Sequence, residues 1–324
     1  MADFRTSASP QAIKVRADLL RLTREFFDQR GFLEVQTPLL SSDTVVDRHL
    51  DPIAVDVPDS PFSSNSRRMW LQTSPEFAMK RMVASGIKAI YQITPAFRVG
   101  ESGPLHNPEF TMLEWYRVDD SYDEGISLLG ELASALLKTP QPDVITMSVA
   151  FHEFAGFDAL RCNAGELLDH CKSRHISVPE SIRADDWDSL FDILFTELVQ
   201  PRLGLDGPAI VKDYPASQSA LAKVRNGDPP VAERFELFVR GVELANGYHE
   251  LLDANELKKR NEDTNQQRQE DGKQPLPTES RLLNAMQAGL PPCVGVALGF
   301  DRLVMLKSNA QTISDVLTFP YDIA

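Results

Sequence analysis

The chain has 324 residues, of which 33 are basic and 47 acidic, so its formal net charge is -14 at neutral pH. A net acidic chain is not expected to bind nucleic-acid backbones broadly, because such contacts require clustered Lys and Arg. The three cysteines lack Cys-x-x-Cys or Cys/His spacing, which indicates neither a disulfide framework nor a zinc site. No stretch has the apolar length of a membrane span and no leader is visible. We therefore expect a cytoplasmic protein without membrane contact, built as a single domain over residues 1–324.

The first predicted element is an amphipathic helix. Ser9 is a suitable N-cap, Pro10 suits the first helical position, and Gly31 ends the pattern. Its apolar residues share one stripe at helical spacing: Val15, Leu19, Leu22 and Phe26. Such a stripe ordinarily packs within its own chain.

A β-hairpin is predicted next, with strand segments over residues 88–93, 97–99 and 109–116 around a loop rich in glycine and proline. On the return strand the period of two places Glu114 and Tyr116 on one face. Residues 139–207 mix proline-rich turns with an apolar helical run and are predicted as an insertion. A second hairpin is predicted to turn at Arg240-Gly241, and the polar stretch 255–273 as a solvated helix.

Residues 295–306 (GVALGFDRLVML) combine a strand-like run with a helix start. Gly299 leaves room for a ligand, and Arg302 follows one turn later. A purely structural segment, in which Asp301 and Arg302 form an ion pair, would have the same pattern. Taken alone, the segment leaves both interpretations open.

Other segments favour the nucleotide site. Residues 97–116, which include Phe97-Arg98 and the string HNPEFTMLE, resemble motif 2 of class II aminoacyl-tRNA synthetases. Residues 31–38 (GFLEVQTP) resemble their motif 1, and residues 295–306 their motif 3. The strings TSPE and ELANG between these motifs are similar to the lysyl-tRNA synthetase branch. This resemblance implies an α+β class II catalytic domain, an antiparallel sheet flanked by helices, and a homodimer formed through motif 1.

The resemblance also assigns residues to ATP. Arg98 would bind the α-phosphate and the acyl oxygen, and Arg302 the γ-phosphate, since permanently charged guanidinium groups suit charge that develops on phosphates. Asn107 and the backbone of Glu243-Leu244 would complete the pocket, and Gly299 would let the nucleotide approach. Mg²⁺ is expected with the triphosphate, on the carboxylates of Glu243 and Glu250. Without the resemblance, these two acids would be ordinary solvent-facing residues.

Carboxylates are also expected around the cationic end of the substrate. The residues assigned to the substrate by resemblance are Ser74, Pro75, Glu76, Glu114, Tyr116, Glu250 and Ala297. Two segments, one in motif 2 and one in motif 3, differ from the synthetase pattern. Val99, Gly100 and Glu101 replace the residues after the motif 2 arginine, with Leu105 in place of a loop arginine. ATP would then be contacted either by Glu101 in a shifted loop or by the backbone of Gly100. Ala297 adds a methyl where motif 3 has glycine, and one methyl can be worth roughly 1 to 3 kcal/mol of discrimination.

Along nearly its whole length the chain resembles the elongation factor P (R)-β-lysine ligases, through the strings at residues 106–117, 214–223 and 243–251. These are stand-alone relatives of lysyl-tRNA synthetases. The resemblance implies that (R)-β-lysine and ATP give a β-lysyl-adenylate and pyrophosphate, after which a lysine ε-amine on elongation factor P attacks and releases AMP. Only thirty residues precede motif 1 and few follow motif 3. We therefore expect no anticodon-binding domain and no productive charging of tRNA.

Three alternatives remain at this stage. A lysyl-tRNA synthetase-like enzyme would charge tRNA or another acceptor. An ammonia-dependent asparagine synthetase would need a cationic pocket, whereas Glu76, Glu114 and Glu250 favour an amine-bearing substrate. A non-enzymatic regulatory paralogue would typically lack the phosphate-binding arginines, and Arg98 and Arg302 are both present.

Overall fold

A computed structural model describes residues 4–61 and 63–324. The chain divides into two compact units, one formed by the residues up to Asp120 and from Leu252 onward, the other by Ser121–Leu251. The predicted single domain stays a prediction, and the predicted insertion at 139–207 falls inside the second unit. Within the described ranges, no helix is long and apolar enough to cross a membrane.

The elements confirm a mixed α and β architecture. The α-helices are α1 (Pro10–Asp28), α2 (Glu76–Ala84), α3 (Tyr122–Leu137), α4 (Met147–Ala155), α5 (Ala164–Ser173), α6 (Trp187–Leu194), α7 (Ala254–Glu270), α8 (Arg281–Gly289) and α9 (Phe300–Lys307). The β-strands are β1 (Leu33–Glu34), β2 (Leu40–Ser41), β3 (Ala54–Pro58), β4 (Ser66–Leu71), β5 (Ala89–Phe97), β6 (Glu109–Val118), β7 (Asp143–Thr146), β8 (Ala209–Pro215), β9 (Val224–Arg225), β10 (Val231–Val239), β11 (Val242–His249) and β12 (Cys293–Gly299).

In the first unit, the larger sheet has the strand order β1-β5-β6-β12, and β2-β4-β3 form a small separate sheet. The pairs β5–β6 and β6–β12 are antiparallel, which confirms the predicted hairpin. Strand β5 is continuous to Phe97, so the predicted strand segment at 97–99 is wrong beyond its first residue. The strand ends there because the Val99 N–H donates to Asp51 O, outside the hairpin, and Gly100 turns the chain with a positive φ of 77°.

Helix α1 covers one face of this sheet. Its N-cap is Ser9, as predicted, and it ends at Asp28, shortly before Gly31. Phe27 stacks on Tyr91 at 4.6 Å between ring centroids and lies 5.3 Å from Trp115. Because side chains alternate along β6, packing of Trp115 against α1 directs Glu114 and Tyr116 to the other face.

Helix α7 is less solvated than predicted. Most of its residues are exposed, but Arg268 is 3% exposed and donates to Asp51 Oδ1 at 2.8 Å. This buried arginine ties the end of the helix to the loop before β3. The polar sequence of α7 predicted full solvation because hydrophobic periodicity gives no signal for a buried ion pair such as Arg268–Asp51.

In the second unit, the strand order is β11-β10-β8-β7, with β9 on β10. The predicted turn between β10 and β11 is confirmed. Arg240 and Gly241 have φ values of 53° and 75°, as a two-residue hairpin turn of right-handed twist requires. The apolar helical run predicted within residues 139–207 forms helix α6 and a following π-helical turn at Phe195–Val199, packed in an aromatic core.

Candidate active site

Strand register brings the predicted amine-binding residues together. In the β6–β12 ladder Ala297 lies directly opposite Glu114, and Gly295 lies opposite Tyr116. Directly opposed residues of an antiparallel pair share a face of the sheet. The Ala297 methyl, the Glu114 carboxyl and the Tyr116 phenol therefore project from one surface of the first unit.

Glu114 is the buried centre of this surface, with 1% of the residue exposed. The Tyr116 hydroxyl donates to Glu114 Oε1 at 2.6 Å, and the Ser74 hydroxyl donates to Oε2 at 2.7 Å. Burial, and then the like charge of Glu76, raise the pKa of Glu114 to about 7. The carboxyl is thus poised to ionise when a cation arrives beside it.

The loop of Ser74, Pro75 and Glu76 leads into helix α2, which begins at Glu76. The Ser74 hydroxyl also accepts a hydrogen bond from the Glu76 N–H at 3.1 Å. Glu76 forms a 2.6 Å ion pair with Lys80, and both residues are buried. Lys80 was not predicted as part of the site, although its spacing of four from Glu76 on a helix could have revealed the pair.

Arg98 lies just past the end of β5, at the other end of the same face. Its guanidinium carbon sits 4.9 Å from the centre of the Phe110 ring, and its Nη1 is 3.4 Å from Glu101 Oε1. Within the described residues, the buried Nε of Arg98 has no hydrogen-bond partner. A buried donor left without an acceptor is costly, so this group suits an anionic ligand. Along β6, residues 110 and 114 are about 13 Å apart, which separates an anion-binding end from an amine-binding end.

Arg302, on helix α9, contacts the loop between β5 and β6 (residues 98–108), hereafter the motif 2 loop. Its Nε donates to Leu105 O at 3.2 Å, and its Nη2 lies 2.7 Å from His106 Nε2. Burial, and then the positive charge of Arg302, lower the pKa of His106, so the neutral imidazole accepts from the guanidinium. Asp301 accepts from Arg16 and from the Thr111 N–H. The contact of Arg302 with His106 was not predicted.

The space beside Arg302 is open at Gly299. A Cβ atom built at Gly299 would meet the Arg302 Cδ at 3.6 Å, an ordinary van der Waals distance. Packing within the chain therefore does not require glycine there, and the absent side chain leaves volume for a ligand. Asn107 is buried in the adjacent loop, and its amide donates to Glu109 O at 2.6 Å.

The second unit holds the remaining predicted residues, Glu243, Leu244 and Glu250. A spacing of seven would place the two glutamates on opposite faces of a regular strand. The ladder is irregular, however, because neighbouring β10 residues 237 and 238 pair with Ala245 and Glu243 and leave Leu244 as an extra residue. A bulge of this kind shifts the alternation by one residue. Glu250 follows the last residue of β11 and continues the antiparallel pairing through a bridge to Ala222, so Glu243 and Glu250 point to the same face. Glu243 is half-buried and Glu250 is 1% exposed.

The carboxylates of Glu243 and Glu250 suit Mg²⁺ that arrives with a nucleotide. Mg²⁺ is commonly held by one or two carboxylates together with substrate phosphates and water, without a cage of protein ligands. In the part of the chain that the structure describes, no group of three or more His, Cys, Asp or Glu side chains could hold a metal ion. A pair of carboxylates on one strand face fits the first arrangement.

The predicted residues thus fall into three sets. The first unit places the amine-binding candidates around Glu114 and the phosphate-binding candidates around Arg98, Gly299 and Arg302, with Val99 53% exposed in the loop. The second unit holds the two candidate metal ligands and Leu244. Their roles stay predictions.

Known proteins resemble the chain over its whole length. Residues 1–323 match the family described as tRNA synthetases class II (D, K and N). A protein of Haemophilus influenzae named elongation factor P--(R)-beta-lysine ligase is 41% identical over 322 residues, which is 98% of each chain. Proteins of the same name from Vibrio vulnificus and Mannheimia succiniciproducens are each 41% identical, covering 100% and 98% of this chain and 99% and 97% of their own lengths. The chain therefore belongs to the class II tRNA synthetase family, within the group of its elongation factor P--(R)-beta-lysine ligases.

Proposed function

We propose that this protein is an ATP-dependent ligase that attaches (R)-β-lysine to elongation factor P. In the first step the substrate carboxylate attacks the α-phosphate of ATP, the bond to the β-phosphate breaks, and pyrophosphate leaves. In the second step the ε-amine of a lysine on elongation factor P attacks the acyl carbon of the β-lysyl-adenylate. AMP leaves, an amide forms, and one proton is released.

The observation that carries the proposal is the buried carboxyl of Glu114 on the same sheet face as Arg98. Glu114, held by the hydroxyls of Ser74 and Tyr116, offers a negative charge to a substrate amine. Arg98 offers a buried donor to phosphate at the other end of the face. A substrate with an amine at one end and a carboxylate to be activated at the other suits this polarity.

Mg²⁺ would be held by Glu243 and Glu250 and would neutralise charge on the phosphates of bound ATP. Arg98 and Arg302 would hold charge that develops as pyrophosphate departs, because preorganised cations cost no reorganisation during the reaction. Asn107, Val99, Gly100, Glu101, Gly299 and Leu244 are proposed to border the nucleotide. We propose a homodimer formed through motif 1 and, since the acceptor is a translation factor, a cytoplasmic location.

Two other functions give different outcomes in the same experiment. A lysyl-tRNA synthetase-like enzyme would activate α-lysine and transfer it to tRNA. A regulatory paralogue would bind ligands without exchange of pyrophosphate into ATP.

The test combines pyrophosphate exchange with product analysis. Exchange is measured with α-lysine and with both enantiomers of β-lysine, and we expect (R)-β-lysine to have the highest kcat/KM. Elongation factor P and tRNA are then offered as acceptors, and mass spectrometry should find one added β-lysyl group on one lysine of the factor. Product on tRNA with none on the factor would contradict the proposal, as would an absence of exchange with every amino acid.

A further inference from the structure

The chain segment 313–321, after helix α9, contacts the motif 2 loop at two points. The Ile313 N–H donates to Pro104 O at 2.8 Å. The Tyr321 N–H donates to the side-chain oxygen of Asn107 at 3.0 Å. The second bond joins residues 214 positions apart and ends on a residue assigned to the ATP pocket.

The segment is anchored well enough to hold the loop. Ile313 and Val316 are buried, at 3% and 1% exposure. The N–H groups of Ser7 and Ala8 donate to the carbonyls of Thr318 and Leu317 at 2.9 and 3.0 Å. Helix α1 starts immediately after these residues, so the segment is fixed to the body of the first unit before it reaches Asn107.

The motif 2 loop forms a tight turn where the segment 313–321 contacts it. Gly103 and His106 exchange two backbone hydrogen bonds of 3.1 and 3.2 Å, which close a tight turn. Arg302 contacts Leu105 O and His106 from helix α9. The turn is therefore held by α9 through Leu105 and His106. The segment holds it through Pro104, inside the turn, and through Asn107, which follows it.

Both ends of the Asn107 amide are engaged. Its nitrogen donates to Glu109 O, and its oxygen accepts from the Tyr321 N–H. The torsion of an asparagine amide is soft, so a single contact would leave its orientation poorly defined. Two contacts on opposite ends define which way the amide faces.

We propose that the backbone N–H of Tyr321 is a positioning group for ATP, acting through Asn107 and the motif 2 loop. The inference rests on the proposed function, because it takes Asn107 to border the nucleotide. Ordering the loop before ATP arrives lowers the cost of binding. Loss of the bond should therefore raise the KM for ATP and leave the KM for (R)-β-lysine unchanged, since Glu114 and Ser74 lie outside the loop.

One pair of variants isolates this bond. Pro320 O accepts from the Ile323 N–H at 2.9 Å, so Tyr321 is the second residue of a turn, a position that proline favours. Tyr321→Pro removes the N–H and keeps the turn. Tyr321→Ala removes the same side chain, which is 66% exposed, and keeps the N–H.

In pyrophosphate exchange we expect Tyr321→Pro to raise the KM for ATP about fivefold over Tyr321→Ala, the equivalent of one neutral hydrogen bond. The KM for (R)-β-lysine should match in both variants, and thermal unfolding checks that both are folded. Equal KM values for ATP would overturn the inference while leaving the proposed function intact. An unaltered protein without exchange would instead overturn the proposed function.

A second measurement needs no substitution. Hydrogen exchange at the Tyr321 amide should slow when saturating ATP is added to the unaltered protein, because a bound nucleotide stabilises the loop to which this amide is bonded. An exchange rate that ATP does not change would contradict the inference even if Tyr321→Pro failed to fold.

Discussion

The ammonium nitrogen of Lys80 lies 2.6 Å from Glu76 Oε1 in the interior of the first unit, where Lys80 is 1% exposed. The candidate amine site therefore already contains one cation. Glu76 and Lys80 together are neutral, so the charge offered to a substrate depends on Glu114. Its pKa of about 7 places that charge under the control of pH in the physiological range.

We expect activation of (R)-β-lysine to depend on pH through Glu114. Because burial and Glu76 raise its pKa to about 7, the free protein loses the carboxylate as the pH falls below that value. In pyrophosphate exchange, kcat/KM for (R)-β-lysine should then fall about tenfold per pH unit. Glu114→Gln should lower kcat/KM and remove this acidic limb, whereas the exposed-site control Glu262→Gln should retain it. An acidic limb that survives in Glu114→Gln would assign the titration to another group.

The same carboxyl should limit stability at alkaline pH. A carboxyl whose pKa is raised in the folded state stabilises the fold at low pH, and this contribution is lost as the pH rises from the unfolded value of 4.5 through about 7. The shift corresponds to about 3 kcal/mol in the free energy of unfolding. Glu114→Gln should therefore have a higher Tm than the unaltered protein at pH 8, with the difference shrinking toward pH 5. A variant that is less stable at both pH values would show that the charge is compensated in the fold.

Removal of either candidate phosphate ligand should abolish adenylation without unfolding the protein. Arg98→Ala and Arg302→Ala should each lower pyrophosphate exchange by orders of magnitude, because both are assigned to charge that develops in the transition state. Arg67→Ala, at an exposed residue of strand β4, is the control and should exchange normally. Circular dichroism verifies folding. Near-normal exchange in a folded Arg302→Ala protein would remove its assignment to ATP.

Ala297 should influence which lysine isomer is activated. Its methyl lies opposite Glu114 on the candidate substrate face, and the synthetase motif has glycine at this position. Ala297→Gly should raise the kcat/KM of α-lysine relative to (R)-β-lysine by about tenfold, the size expected for one methyl in a tight site. Thermal unfolding separates this effect from loosening of the strand. An unchanged ratio in a folded variant would make Ala297 a packing residue.

Motif 1 should form a symmetric dimer interface. Leu33 in β1 is 54% exposed and Leu39 is 37% exposed, so this segment presents apolar side chains that a partner copy would cover. Leu33→Asp should shift the protein toward monomer in light scattering at micromolar concentration. The matched control is Leu205→Asp, at a leucine of 60% exposure in the second unit. A monomeric unaltered protein with full activity would refute the prediction.

Local patterns in the sequence predicted several of the elements and one shared face of the candidate site. The period of two on β6 predicted that Glu114 and Tyr116 share a face, and their 2.6 Å hydrogen bond agrees with it. The Ser9 N-cap and the Arg240-Gly241 turn were also predicted from short local patterns. Caps, turns and alternation depend on neighbouring residues, so short strings carry the information. The order of three motifs then identified the family.

Contacts between distant residues were decided only by the tertiary structure. Ala297 meets Glu114 through the register of two strands, and Tyr321 meets Asn107 through the path of a segment after helix α9. The bulge at Leu244 reverses what the spacing of Glu243 and Glu250 would indicate on a regular strand. Register, bulges and long-range hydrogen bonds arise from packing of the whole chain, and one sequence read locally does not contain them.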